Sequence, residues 1–285
     1  MIMASDLDTQ AFKQQQRDDW AGAASHWRRL DDGVRRTSAE TTPRLLELAG
    51  IRAGDRVLDI ASGTGEPGLP AAKLVGPSGF VLLTDQSPEM LAVAREKART
   101  QDLHNVGFVV SDAEQLTLDP ESFDAALCRG ALCLMPDPVG CLRVVYTALK
   151  PEGRLAVLVV GRPEANPFFT TSFAVLAKHT ALPQLDPEAP GPFRFADPER
   201  LQSVMVQAGF HDVGVEQLQH VHSMGTGREY WAHLSRMSAV AKLLAQIPED
   251  QHEHIGQEIA ARAAGGDPDG EVALEAESNL AVGVR

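Results

Sequence analysis

Between residues 57 and 68 the chain reads Val57-Leu58-Asp59-Ile60-Ala61-Ser62-Gly63-Thr64-Gly65-Glu66-Pro67-Gly68: an apolar, β-branched run carrying one acid, then a glycine-rich turn, then a helix start. Gly63 and Gly65 let the backbone turn sharply and let a ligand lie against it with no Cβ between them. Pro67 suits a first helical turn, where its missing N–H leaves no bond unmade. Such a turn binds a nucleotide. The spacing Gly63-x-Gly65-x-x-Gly68 also satisfies the dinucleotide fingerprint, in which an acid follows about 20 residues on. Asp85 stands there, closing the apolar run Phe80-Val81-Leu82-Leu83-Thr84. A carboxylate at a strand tip can accept hydrogen bonds from both hydroxyls of a ribose. Asp59, four residues before the first glycine, separates two readings of the ligand. A pyrophosphate is held by bare N–H groups and a helix dipole, whereas a carboxylate beside the turn suits a positive charge. The ligand is read as cationic.

At this point the residues resemble a family. Asp59 to Gly65 is similar to the first motif of class I S-adenosylmethionine-dependent methyltransferases, nearest the branch with the ubiquinone/menaquinone-biosynthesis C-methyltransferases and many bacterial small-molecule methyltransferases. Thr84-Asp85-Gln86-Ser87-Pro88-Glu89-Met90-Leu91 resembles the second motif and Ser111-Asp112-Ala113-Glu114 the third. Phe123-Asp124-Ala125 through Pro136-Asp137-Pro138 and then Leu149-Lys150-Pro151-Glu152-Gly153-Arg154-Leu155 complete the series in order. The resemblance is sharp over residues 40–161 and diffuse over both flanks. It implies S-adenosyl-L-methionine as cofactor and methyl transfer to a small molecule. It further implies that Asp59, partly through the backbone at Ala61 and Gly63, places the methionine ammonium, with Gly65 completing the turn. Asp85 takes the ribose, Gln86 and Met90 flank the adenosine, Asp112 accepts from the adenine amino group, and Ala113 offers its backbone N–H. The backbone at Arg129 meets the methionine part, with Cys133 bordering the methyl group. Trp27 lines the same pocket from a lid. Plainer roles stand beside these: a core place for Met90, a turn-stabilising one for Asp59, a helix cap for Asp85, solvent for Glu114, a surface ion pair for Arg129. A nicotinamide-dependent oxidoreductase and a non-catalytic binding protein are the alternative readings.

With 285 residues, 44% of them hydrophobic, the chain can bury the core of one large domain or of a domain with a small cap. A net charge of −13 and a pI near 5.1 argue against a nucleic-acid partner, which is bound through clustered Lys and Arg. Residues 1–8 lack the basic and apolar profile of a signal peptide, and no apolar run approaches the ~20 residues of a membrane span. The expectation is a cytoplasmic enzyme with a small-molecule substrate and no membrane span, with monomer and homodimer both open. Cys128, Cys133 and Cys141 fall in one window without paired Cys/His spacing, so they are read as buried thiols, with no metal and no disulfide. An oxygen nucleophile calls for a base, and His179, His220, His222 and Tyr230 lie in the half that can face substrate. None is singled out. The atom methylated stays open.

The positioning elements follow from pattern. Residues 5–36 are helix-compatible, with Trp20 and Trp27 on one face and Arg35 and Arg36 as surface charges. Helices are expected from Thr41 to Gly50 and over 67–75, 88–100 and 139–149; strands over 80–84, 106–110, 125–128 and 154–160. Beyond lie a helix over 198–208, a strand over 212–222, helices over 226–246 and 248–264, and a final antiparallel strand over 272–284. The fold class is α/β: a Rossmann-like sheet of seven strands, mostly parallel with an antiparallel last strand, helices on both faces, and a small helical cap. The expected division is a helical lid over 1–40, a cofactor-binding core over 41–161, a substrate cap over 162–196, and completion of the sheet over 197–285. The cap is rich in proline and carries Phe168, Phe169, Phe173, Phe193 and Phe195. These favour an apolar or ring-bearing substrate, or equally a core of the cap's own.

Overall fold

The computed structural model describes residues 8–29, 38–182 and 186–285; Arg35 and Arg36 lie outside the described residues. Seven strands, β1 (Arg56–Ile60), β2 (Phe80–Asp85), β3 (Val106–Val110), β4 (Phe123–Arg129), β5 (Leu149–Val160), β6 (His211–Thr226) and β7 (Glu271–Val284), form one sheet in the order β3-β2-β1-β4-β5-β7-β6. The first five are parallel, and β7 runs antiparallel between β5 and β6. The order reverses at β1: the chain builds outward to β3, then returns to β4 on the other side. A crevice opens at such a switch point, beyond the carboxyl ends of the strands.

Both faces of the sheet are covered, which is why its central strands read as continuous apolar runs. On one face α2 (Thr41–Leu48), α3 (Gly68–Val75) and α4 (Pro88–Thr100) lay Leu45, Val75 and Leu91 against Val57, Leu83 and Leu127. On the other, α5 (Pro138–Ala148) and α7 (Pro198–Gln207) lay Leu142, Val145 and Met205 against Leu58, Ile60 and Val157. Three of these helices, α4, α5 and α7, start at a side-chain cap. Ser87 Oγ accepts from the Met90 N–H (3.2 Å) ahead of α4, and Asp137 Oδ1 from the Gly140 N–H (2.8 Å) at α5.

A separate cluster joins α6 (Pro167–Leu176) to α8 (Gly227–Leu234), α9 (Ser238–Leu244) and α10 (Glu249–Ala263) around Phe168, Tyr230, Leu243 and Ile259. Phe169 and Phe173 pack on it, while Phe195 is buried in the main core. The aromatic richness of the insertion thus has its explanation in packing. The single helix expected over 226–246 is two. The chain breaks at Met237, which is extended (φ −70°, ψ 132°), after N–H groups of Arg236 and Met237 close short turns onto His233 and Leu234. No glycine or proline marks the break; packing sets it, turning Leu234 and Val240 toward one cluster. Finally α1 (Thr9–Arg29) lies on α4, with Trp20, Ala24 and Trp27 against Met90 and Val93. Among the described residues no helix is long and apolar enough to cross a membrane.

Candidate active site

β1 ends at Ile60, and the chain turns into α3 through left-handed backbone at Ala61 (φ 52°), Gly63 (φ 54°) and Gly65 (φ 99°). For Ala61 that conformation costs about 1–2 kcal/mol, which the surrounding bonds must offset. They do so from β2. Ser62 N–H donates to the Thr84 carbonyl (2.8 Å), and Gly63 N–H donates to Asp85 Oδ2 (2.9 Å). The other oxygen of Asp85 accepts from Ser87 N–H (2.8 Å), so one carboxylate ties the glycine turn to the start of α4. Burial pushes the Asp85 carboxyl up, opposed by these backbone donors. Gly65 has no room for a side chain: a Cβ there would lie 2.8 Å from Leu69.

A cavity of about 240 Å³ opens at the ends of β1, β2 and β4, beneath α1. Ala61, Gly63, Asp85, Gln86 and Met90 line it, as do Asp112, Ala113, Arg129 and Trp27. Three of the expected residues, Gly65, Asp59 and Cys133, do not. Gly65 stays inside the turn, and Asp59 is fully buried on the sheet face covered by α3, where a Cβ on Gly68 would sit 2.5 Å from its Oδ2. Neither Asp59 oxygen closes a hydrogen bond among the described residues. Burial pushes its carboxyl well above the usual range, the Gly68 backbone opposing this and the Glu66 and Asp85 charges adding to it. The acid that suggested a cationic ligand is therefore not part of the cavity lining. The negative fringe of the cavity comes instead from Glu66, Asp85, Asp112 and Glu114.

Glu114, expected in solvent, is at the cavity wall, where it accepts from Asp137 N–H (3.0 Å). It also pairs with Lys13 of α1, whose Nζ lies 2.7 Å from Asp112 Oδ2. Lys13 was not legible in the sequence, because its partners are some hundred positions away and no motif surrounds it. Ser62, too, was missed; its Oγ is buried at the cavity wall without a partner among the described residues. Arg129 Nη2 donates to Ser38 Oγ (2.8 Å), while its Nε has no partner among the described residues. Burial lowers the Arg129 pKa against the pull of Glu66 and Asp59. Cys133 lies buried behind the wall, and burial pushes the Cys128 and Cys133 thiols up to about 12. No cluster of metal-ligating side chains occurs among the described residues.

A glycine turn, an acid at the tip of the second strand and a sheet finished by an inverted strand define a nucleoside-binding fold of the methyltransferase type. Residues 51–184 match the family model described as a methyltransferase domain. The ubiquinone/menaquinone biosynthesis C-methyltransferase UbiE of Pseudomonas aeruginosa is 36% identical over 181 residues, covering 59% of this chain and 70% of the relative. The UbiE of Yersinia enterocolitica is 34% identical over 186 residues, 61% of this chain and 73% of the relative. Among solved structures, a SAM-dependent methyltransferase from Aquifex aeolicus aligns at a TM-score of 0.51 and 23% identity, over 67% of this chain and 89% of that one. Phosphoethanolamine N-methyltransferase 2 of Haemonchus contortus, solved with S-adenosyl-L-methionine, aligns at 0.52 and 22%, over 86% of this chain and 52% of that one. The chain belongs to the methyltransferase domain family. It is an S-adenosylmethionine-dependent methyltransferase, and S-adenosyl-L-methionine is its cofactor.

Proposed function

We propose that the enzyme methylates a small, apolar or ring-bearing metabolite, with the cofactor lying along the cavity beneath α1. The observation that carries this is the make-up of the cavity wall: carboxylates on the strand side, the indoles of Trp20 and Trp27 on the α1 side. Flat aromatic walls suit an adenine and a ring-bearing acceptor, and the acidic fringe suits a sulfonium and an ammonium. Each Asp85 oxygen accepts one backbone N–H and keeps lone pairs for the ribose hydroxyls. Asp112 and Ala113 serve the adenine edge, Met90 and Gln86 its face. Arg129 and the Ser62 hydroxyl, both at the cavity wall, serve the amino-acid end. When bound, the cofactor supplies a methyl that is already a good electrophile; the chain aligns it with the acceptor and excludes water. That the relatives are named as C-methyltransferases of quinone biosynthesis supports a ring as acceptor and carbon as the methylated atom.

Labelled S-adenosylmethionine offered with matched panels of apolar ring compounds and hydrophilic amines tests the reading. Label on the ring compounds is the expected outcome. Label confined to hydrophilic amines or to macromolecules would overturn the substrate class.

A further inference from the structure

With Asp59 outside the cavity lining, the ammonium of the cofactor calls for another acid. Two opposite charges line the cavity where β1 and β4 end: the carboxylate of Glu66, in the turn between β1 and α3, and the guanidinium of Arg129. β1 and β4 are paired, with Ile60 opposite Cys128, so the glycine turn and Arg129 leave the sheet side by side, one strand spacing of about 4.8 Å apart. A third segment holds both side chains. Arg129 Nη2 donates to Ser38 Oγ (2.8 Å), and Thr42 Oγ1 donates to Glu66 Oε1. Ser38 and Thr42 stand on one turn of chain entering α2, where Thr42 N–H donates to the Ser38 carbonyl (2.9 Å). Residues four apart on such a turn share a face. Ser38 is 2% exposed and Thr42 5%, so water has little access to these bonds. Opposite charges lining one cavity are drawn together, yet each of these is tied back to the α2 turn instead. Among the described residues no ion pair joins Glu66 to Arg129.

We propose that Glu66, and not Asp59, takes the ammonium of the cofactor's amino-acid end while Arg129 takes its carboxylate, and that Ser38 and Thr42 are the positioning residues that keep these two charges apart. This rests on the placement of the amino-acid end proposed above. An ionised carboxylate only accepts hydrogen bonds and a guanidinium only donates them. A free amino acid presents the reverse pair, an ammonium that donates and a carboxylate that accepts, so both ends meet a charge-assisted partner. A ligand lacking one of the two groups leaves a charge of the half-buried wall without its counterpart, which is costly. This end of the cavity therefore selects the intact zwitterion.

The positioning role follows from the same bonds. Without the Thr42 hydroxyl the Glu66 side chain is released from α2 and can swing onto Arg129. The ion pair that forms satisfies both charges and occupies the place of the zwitterion. Held back by one turn of buried hydroxyls, the two groups stay available to a ligand at no cost of reorganisation when it binds.

Calorimetry on the full chain with four ligands tests this without turnover: S-adenosylhomocysteine, its analogue without the amino group, its analogue without the carboxylate, and 5′-methylthioadenosine, which lacks the whole amino-acid end. Glu66→Gln is expected to weaken S-adenosylhomocysteine by about 10–100-fold while the analogue without the amino group and 5′-methylthioadenosine stay within about twofold. Arg129→Gln should weaken S-adenosylhomocysteine by about as much and spare the analogue without the carboxylate. Thr42→Val, which leaves both charges in the chain, should weaken S-adenosylhomocysteine by about tenfold and leave 5′-methylthioadenosine unchanged. A Glu66→Gln protein that binds S-adenosylhomocysteine normally, or that loses all four ligands alike, overturns the ammonium contact. Asp59→Asn giving the pattern expected of Glu66→Gln returns the ammonium to Asp59 and overturns it too. Unchanged S-adenosylhomocysteine affinity in Thr42→Val overturns the positioning role. If the natural sequence binds 5′-methylthioadenosine as tightly as S-adenosylhomocysteine, the amino-acid end lies outside the cavity, and the placement of the cofactor proposed above falls with the contact.

Discussion

Exchanging Asp85 for asparagine separates the two jobs assigned to that side chain. As a carboxylate it accepts from Gly63 N–H at 2.9 Å and from Ser87 N–H at 2.8 Å, both charge-assisted. An asparagine of the same size keeps one acceptor oxygen and presents an amide N–H to the other donor. One of the two bonds is lost and a buried backbone N–H is left facing a second donor. A hydrogen bond to a charged group contributes about 1.5–3 kcal/mol, and an unsatisfied buried donor costs a similar amount, so the loss is about 2–4 kcal/mol of stability. That is a large part of the ~5–15 kcal/mol that holds a domain together. Asp85→Ala, losing both bonds, should cost more. The same exchange removes the charge proposed to take the ribose and should weaken S-adenosylhomocysteine binding by about 10–100-fold, roughly 1.4–2.8 kcal/mol. Urea denaturation at constant m-value gives the first quantity and calorimetry the second. Lowered stability with unchanged affinity would refute the ribose contact; unchanged stability would refute the bracing of the glycine turn.

His222 and His233 are pushed down to about 4, chiefly by burial. The unfolded chain therefore binds their protons first: stability is full above about pH 6.5 and falls toward pH 4, by at most about 3 kcal/mol for each ring, with Asp59 opposing. Urea midpoints that do not fall between neutral pH and pH ~5 would count against neutral buried imidazoles. Lys13→Met should loosen α1, raising amide exchange across residues 9–29 about tenfold while α4 is unaffected; equal exchange in both proteins would show that the Asp112 and Glu114 pairs hold nothing. Gly68→Ala places a Cβ 2.5 Å from Asp59 Oδ2 and 3.0 Å from Leu83, which should cost about 1–3 kcal/mol. Part of that should return when Asp59→Ala is added, and strictly additive losses would argue against the contact.

How far the sequence could be read depends on how local each cause was. β1, the glycine turn, β2 and Asp85 were legible because each is set by a short pattern and by the ~20-residue span of one strand-helix-strand unit. The burial of Asp59 is carried by strand alternation: Val57 and Asp59 share a face, and Val57 is fully buried in the cluster with α3. Only residues past the strand end, from Ala61 onward, reach the cavity. The Lys13 latch, the inward turn of Glu114 and the break between α8 and α9 depend on partners distant in the chain, and no local pattern announces them. The cap phenylalanines had two explanations with the same signature, and only the packing around Tyr230 distinguishes them.

The placement of β7 has a consequence for how the chain is made. Among the described residues β7 is the one strand paired with β6, and it covers the open side of β5. It is synthesised after α8, α9 and α10. In a nascent chain that has emerged as far as α10, β6 is therefore unpaired on both sides and β5 is bare on one. Bare edges are templates for intermolecular pairing. Recovery of soluble protein should accordingly depend on how quickly residues 271–284 follow the rest out of the ribosome, and slow codons or pauses ahead of them should favour aggregates.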